Sequence, residues 1–450
     1  MFQKKSIEKN IFGPDRWLPV LRLKARPRPR SRDASLAMPS ALRAGFGWLI
    51  AIVLCFTSVS KATGAISCDC EIMLADDEVI CRSLPDLENL LNLASPDCLN
   101  ICISGSVIFQ GPNITDSVFF ALKELFPRRV FTSVSKGFSI EQTSLSILPE
   151  LLRRVESVDS SAITIVDNPW LNSVSFPFYK AKVIGGLQVS RNEKLASVLI
   201  PDGLEEVLGG FVVLSNPDLQ FISGLDNILT FGEIYVRDNS SLKSLEFQRI
   251  HPVYIEKNIV IADNSSVDFS SIDISAFQGH LPDRHVSKID IHSNENVTTI
   301  SGPIEGVLSI ASINIASNSS LKFIFGFGSI LSVSGRLRIG SFQGSSQQLV
   351  ENNVLASVSE IGTLSVSHNP NLQGLDFLVG LYRISRSVFI LNNASLCTCA
   401  LNTISGLLET NSTSRSRLAI SGNPVCCSSK KDVATSCNGR CAAYEASLNN

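Results

Sequence analysis

The stretches ITIVDNPWLNSV (residues 163–174), LQVSRNEKLASV (187–198) and FVVLSNPDLQFI (211–222) are three copies of one phrase set 24 residues apart. Taking the Asn of each copy as position N, apolar residues stand at N−5, N−3, N+3 and N+6. The N−5/N−3 pair recurs as Ile234/Val236 before Asn239, Ile259/Ile261 before Asn264, Ile289/Ile291 before Asn294 and Ile313/Ile315 before Asn318. It returns as Leu364/Val366 before Asn369, Val388/Ile390 before Asn393 and Leu418/Ile420 before Asn423. Val107/Phe109 before Pro112, Phe138/Ile140 before Thr143 and Leu337/Ile339 before Phe342 keep the pair without the Asn, which makes thirteen copies. In a chain that is 44% hydrophobic, chance would produce thirteen such pairs on the order of once in a billion.

Two apolar residues separated by one other have the period of a β-strand, so each copy reads as a short strand with N−5 and N−3 facing inward. A lone strand cannot bury that face. The copies must therefore stack, each strand pairing in parallel with the next. The fold class that follows is all-β: a right-handed parallel β-helix of about 13 coils of ~24 residues, roughly 60 Å long at ~4.8 Å per coil. Leu or Val at N+3 (Leu171, Leu195, Leu219, Leu242, Val267, Val297, Leu321, Leu372, Leu396) supplies a second inward wall. Gly at N−7 (Gly105, Gly185, Gly209, Gly232, Gly335, Gly362) is expected to turn the corner before the strand with a positive φ. The Asn at N should leave the strand through a turn and hydrogen-bond the backbone of the adjoining coil. Between the first two copies, TDSVFFALKELF (115–126) has a capping Thr/Asp and helical spacing of apolar residues, which predicts a short helix near the N-terminal end. The longer coil between Asn264 and Asn294 should push FQGHLPDRHV (277–286) out as a loop.

The net charge of −2 conceals an asymmetry. Residues 1–43 carry 11 Lys/Arg against 3 Asp/Glu, which leaves 28 against 38 for the remainder. An acidic body of this kind argues against nucleic acid as a partner. The apolar run GFGWLIAIVLCFTSV (45–59) is followed by small residues, the pattern of a cleaved signal peptide. Residues 1–37 then read as a dispensable or mis-annotated basic extension and 38–65 as the signal peptide, with Met38 as the start. A type II signal anchor with a basic cytoplasmic tail is the alternative, which would give a membrane contact only if the segment stays uncleaved. Both readings place the rest outside the cytosol.

Cysteine placement agrees. Cys68, Cys70, Cys81, Cys98 and Cys102 cluster at the front, and Cys397, Cys399, Cys426, Cys427, Cys437 and Cys441 at the back. None lies between, so the two groups read as disulfide-bonded ends: a Cys-rich N-terminal cap over 66–106, the solenoid over 107–396 and a Cys-rich C-terminal cap over 397–450. Seven N-x-S/T sequons occur, at Asn113, Asn239, Asn264, Asn296, Asn318, Asn393 and Asn411. Four of these are N-position residues committed to the turn, so Asn113, Asn296 and Asn411 are the expected glycan carriers.

Leu at N+3, rather than the N+2 of leucine-rich repeats, resembles the receptor L domain, the β-helical ligand-binding module of insulin- and epidermal-growth-factor-type receptors. It is also similar to the related fungal cell-wall proteins. CISGSVIF (102–109) resembles the first coil of an L domain and FILNNASLC (389–397) its closing coil. The resemblance covers about residues 98–399 and implies an extracellular recognition surface without naming the ligand. Thirteen coils exceed one family module, and no cysteine-rich spacer divides them.

Three outward features could carry chemistry. Asp238 and Asp263 occupy N−1 in successive coils, as paired carboxylates do in acid catalysis or Ca²⁺ binding, although Asp before Asn is also ordinary turn chemistry. Asp290 and His292 alternate outward on one strand, with His280, Asp283 and His285 in the loop before it; solvated side chains are the plainer reading, and no metal or cofactor is expected. No catalytic motif is visible. The expectation is a secreted or cell-surface, non-catalytic recognition protein with an extracellular protein or glycan ligand. The alternatives are a β-helical carbohydrate-active enzyme and a passive wall or matrix component.

Overall fold

The computed structural model describes residues 70–424, apart from 129, 135–136, 149–156, 159–161, 177–181, 246, 248–251, 267, 280–284, 304–305, 345–351, 353 and 397–416. It is a parallel β-solenoid, mostly strand with few helices. The N−5 residues stack in one unbroken register: Val107 on Phe138, Ile163, Leu187, Phe211, Ile234, Ile259, Ile289, Ile313, Leu337, Leu364, Val388 and Leu418. Every one of these pairings is parallel, as the alternation required. From Val107 to Val388 the N−5 side chains are 3% exposed or less, and the N+3 leucines from Leu171 to Leu396 are fully buried, so both walls close on one core. The second wall is built from two short sheets, Ser173–Ser175/Ser197–Leu199/Phe221–Ser223 and Ser271–Asp273/Thr299–Ser301/Phe323–Phe325.

The ladder starts earlier than residue 107. The strand Cys70–Cys81 pairs in parallel with Asn100–Gln110, placing Val79 beside Val107 and Cys81 beside Phe109. Between them lies helix α1, Leu84–Asn92, which buries Leu87, Leu90 and Leu91. Asp86 in its first turn accepts the Arg82 N–H at 2.8 Å and the Ser83 hydroxyl at 2.9 Å, tying the helix start to the strand end. Helix α2, Asp116–Leu125, forms where the sequence places one. Its Asp116 carboxylate accepts the Ser146 N–H at 3.1 Å, which pins the helix to the following coil.

Cys98 and Cys102 are disulfide-bonded, but Cys81 is a free thiol buried in the core. The expectation that Cys81 joins a disulfide is therefore corrected: its side chain takes an inward strand position at 0% exposure, as Phe109 does on the next rung. Burial, with a smaller contribution from nearby Asp86, pushes its pKa up to about 12. Cys70 lies on the first strand; Cys68, Cys397, Cys399, Cys426, Cys427, Cys437 and Cys441 lie outside the described residues.

The Asn residues form the expected hydrogen-bond ladder through the interior. Each Oδ1 accepts the backbone N–H of the Asn one coil earlier: Asn192 from Asn168 at 3.0 Å, Asn216 from Asn192, Asn239 from Asn216 and Asn264 from Asn239 at 3.1 Å. Each Nδ2 donates to the carbonyl of the N−3 residue in the preceding coil, as Asn239 does to Val213 at 3.1 Å and Asn294 to Ile261 at 2.9 Å. Both lone-pair and amide valences are used, so these side chains sit at 0% exposure without an unmet polar atom.

The corner glycines need a different explanation from the one their position suggested. Gly209, Gly232, Gly335 and Gly362 are not in the left-handed region. They are small because the backbone of the neighbouring coil passes against them: a Cβ on Gly209 would collide with the Gly185 carbonyl, and one on Gly232 with the Leu208 carbonyl. The left-handed residue sits instead at N−1, directly before the ladder Asn, with φ between 53° and 58° at Asp167, Arg191, Ser215, Asp238, Asp263, Ser293 and His368.

Candidate functional site

Side chains at N−6, N−4 and N−2 point away from the core and line up in rows across successive strands. On the strands Thr230–Arg237, Asn258–Ala262, His285–His292 and Ser309–Ala316 these rows converge on Asp290. Its side chain is only 7% exposed although it faces outward, because its neighbours close over it. Lys288 Nζ approaches one oxygen at 2.5 Å, while His292 Nδ1 at 2.8 Å and Asn314 Nδ2 at 2.6 Å reach the other. Burial alone would raise the Asp290 pKa; the hydrogen bonds from His292, Lys288 and Asn314 outweigh it and hold the carboxyl well below the usual carboxylate range.

Two strands away, Arg237 Nε stands 2.9 Å from Asp263 and 3.5 Å from Asp238, so one guanidinium bridges the two turn carboxylates. His292 Nε2 lies 3.9 Å from Asp263 and joins this pair to the Asp290 cluster. Asp238 is the odd member: partial burial raises its pKa, Arg237 works against the shift, and the charge of Asp263 adds to it. Asp167 stands apart with its own partner, Arg191, which donates through Nε at 2.6 Å and Nη2 at 2.8 Å.

The structure thus brings together Asp238, Asp263, Asp290 and His292, which the sequence had split into two separate features. His285 does not join them: it begins the strand and its ring faces Ser309 at 3.4 Å, five residues or ~17 Å along an extended chain from Asp290. His280 and Asp283 lie outside the described residues. Among the described residues no group of three His, Cys, Asp or Glu side chains is arranged to hold a metal ion. The carboxylates are spent on cations of their own and adjacent coils. No family model matches the chain, and no curated protein matches it. The functional reading therefore rests on the fold and on the chemistry of its outward faces.

Arg237, Lys288 and Asn314 went unnoticed as members of the cluster because their carboxylate partners Asp263 and Asp290 are 24 or 26 residues away or two along the same strand. Only the coil register makes them neighbours. A second outward feature also lacked a sequence signal. It is an open depression of about 670 Å³ on the face after the ladder Asn, lined by Ser320, Lys322, Phe323, Gln343, Gly344 and Asn371 among others. It lies where Phe342 replaces the ladder Asn.

As for the sequons, Asn239, Asn264, Asn318 and Asn393 are ladder residues at 0% exposure. Asn113 is exposed; Asn296 is half-buried and donates to the Ser265 carbonyl at 2.9 Å. Asn411 lies outside the described residues.

Proposed function

We propose that the protein is a secreted or cell-surface recognition protein without catalytic activity, whose solenoid presents outward side chains to an extracellular protein or glycan. The observation that carries this reading is the state of its outward carboxylates. Asp167 is held through both oxygens by Arg191, Asp290 through both by Lys288, His292 and Asn314, and Asp263 through one by Arg237, which takes up oxygens that a general base would need free. A regular face whose charges are mutually satisfied and whose backbone is pinned by the interior ladder suits rigid, preorganised contact. The likeness to receptor L domains and disulfide-stapled ends belong to the same proposal, as does entry into the secretory pathway; the signal-like segment and the sequons support it.

The rival with a specific structural foothold is a β-helical carbohydrate-active enzyme using Asp238 and Asp263. Full-length protein recovered from the medium of transfected eukaryotic cells would be assayed for release of reducing ends or unsaturated products from neutral and acidic polysaccharides. In parallel it would be screened for saturable binding on arrays of glycans and ectodomains. Binding without turnover is the expected result. Turnover that Asp263→Asn abolishes would overturn the proposal in favour of the enzyme.

A further inference from the structure

The short sheet that ends at Phe323–Phe325 has a free side. Ser271–Asp273, Thr299–Ser301 and Phe323–Phe325 pair in order, and among the described residues no further strand adds to Phe323–Phe325. In the next coil Phe342 occupies the ladder position, and residues 345–351 lie outside the described residues. What remains beside the edge is the depression of about 670 Å³, within the size range of small-ligand sites.

Its floor is rigid. The Gln343 N–H donates to the Leu321 carbonyl at 2.6 Å, and the Gln343 carbonyl accepts from Asn371 Nδ2 at 2.7 Å, so this backbone is held from the coil on either side. The Lys322 and Phe323 N–H groups both donate to the Thr298 carbonyl, at 2.9 and 3.0 Å. Three side chains that line the depression take no part in those bonds: the Ser320 hydroxyl, the Lys322 ammonium and the Gln343 amide. Among the described residues Lys322 has no acidic partner and no Asp or Glu lines the depression. One wall is aromatic. Phe323 is 37% exposed and stacks with Phe325, 38% exposed, at a ring separation of 6.2 Å and an interplanar angle of 11°.

This lining selects a ligand class. A metal ion needs carboxylate or imidazole donors, and the described lining residues supply none. An apolar ligand needs a deep, mostly hydrophobic pocket, whereas this one is open and carries hydroxyl, amide and ammonium groups. A ligand with a hydroxyl rim and a C–H face fits both halves, because the amide and hydroxyl donate and accept around the rim while the C–H face lies on the ring of Phe323. We propose that this depression is a saccharide-binding site, with Lys322 favouring a sugar that bears a carboxylate. The inference rests on the recognition reading above and gives it one site and one ligand class.

Isothermal titration calorimetry with the full-length secreted protein tests it, using cellohexaose as the neutral probe and hexagalacturonate as the acidic one. Binding of hexagalacturonate is expected to exceed that of cellohexaose, and Gln343→Ala or Phe323→Ala to weaken both by about tenfold or more. Lys322→Ala should weaken hexagalacturonate selectively and bring the two probes level. Gln343→Ala and Lys322→Ala alter exposed polar groups, so they keep the test valid if Phe323→Ala unfolds the edge. Arg338→Ala, on the opposite strand face, should change nothing. Saccharide binding that none of the three substitutions alters would overturn the site while leaving a recognition protein. Absence of heat with either probe would overturn the site as well, and the array screen of ectodomains then decides whether the recognition reading survives by itself.

Discussion

Asn264 Oδ1 accepts the backbone N–H of Asn239 at 3.1 Å and also faces Asn239 Nδ2 at 3.3 Å, so one side-chain oxygen satisfies two donors of the preceding coil. Its own Nδ2 reaches the Val236 carbonyl at 3.1 Å. Removing that amide orphans both the Asn239 N–H and the Val236 carbonyl of the preceding coil. Asn264→Ala is expected to destabilise the solenoid by several kcal/mol, at about 1–3 kcal/mol for each buried group left unpaired. Thermal or chemical unfolding of the secreted variant measures it; a loss below about 1 kcal/mol would mean that water replaces the amide.

The same geometry decides glycan placement. Asn239, Asn264, Asn318 and Asn393 are all sequons, yet their Nδ2 atoms are buried and donating. Glycopeptide mass spectrometry of folded, secreted protein should find these four unoccupied, with Asn113 and Asn296 carrying sugar. Substantial occupancy at Asn264 or Asn318 would require the ladder to be open when the chain is modified.

Two kinds of corner residue should respond oppositely to substitution. Gly232→Ala drives a Cβ into the Leu208 carbonyl and should cost about 1–3 kcal/mol, since backbone must move. Ser317→Gly relieves a left-handed φ of 57° on an exposed residue and should be neutral or stabilising, within about 1 kcal/mol. Melting temperatures of the two variants distinguish the explanations; a strongly destabilised Ser317→Gly would point to a side-chain role that the geometry does not show.

Within the charged cluster, two carboxylates should titrate with opposite consequences. The folded Asp290 pKa is depressed by its hydrogen bonds, so its contribution is present above the unfolded value of about 3.9 and is lost as pH falls below that. Asp290→Asn should therefore be less stable than the parent at neutral pH, with the gap closing below about pH 4. Asp238 is shifted upward, mainly by burial, and its ionisation works against the fold above about pH 4. Asp238→Asn should equal or exceed the parent in stability at neutral pH. Unfolding curves across pH 3 to 7 check both signs, and a stability loss for Asp238→Asn that matches Asp290→Asn would contradict them.

Cys81 gives a chemical check on the start of the solenoid. Buried and with a pKa pushed up to about 12, its thiol should resist iodoacetamide in native protein at neutral pH and react once the chain is unfolded. Rapid alkylation of the folded protein would place the strand Cys70–Cys81 off the core.

Much of this fold could be read from residue spacing because a solenoid repeats one decision many times. The pairs from Val107/Phe109 to Leu418/Ile420 stack as their alternation implies, and the Asn at N turns inward to its neighbour. What stayed hidden was whatever depends on two coils at once. The strand Cys70–Cys81 escaped because its pairing with the next strand shifts register between Met73 and Glu78, where ADDE interrupts the apolar period. The role of Gly209 and Gly232 depends on the path of the adjoining backbone. The Arg237–Asp263–His292–Asp290 cluster is set by coil lengths of 25 and 30 residues, which no local motif encodes.

Phe342 interrupts the ladder, and this divides the interior into two blocks. Asn168 through Asn318 form one continuous chain of amides; the next begins at Asn369, which accepts the Phe342 N–H at 2.8 Å and runs to Asn423. In a quasi-one-dimensional array, cooperativity passes only between neighbours, so a missing rung lowers the coupling across that one interface. The described residues from Ser332 onward, which include Phe342 and Asn369, then form a separate opening unit that can exchange amide hydrogens without releasing the longer block before it. The depression beside Phe323 lies on this seam, so a ligand bridging Lys322 and Gln343 would act as a clasp between the two blocks.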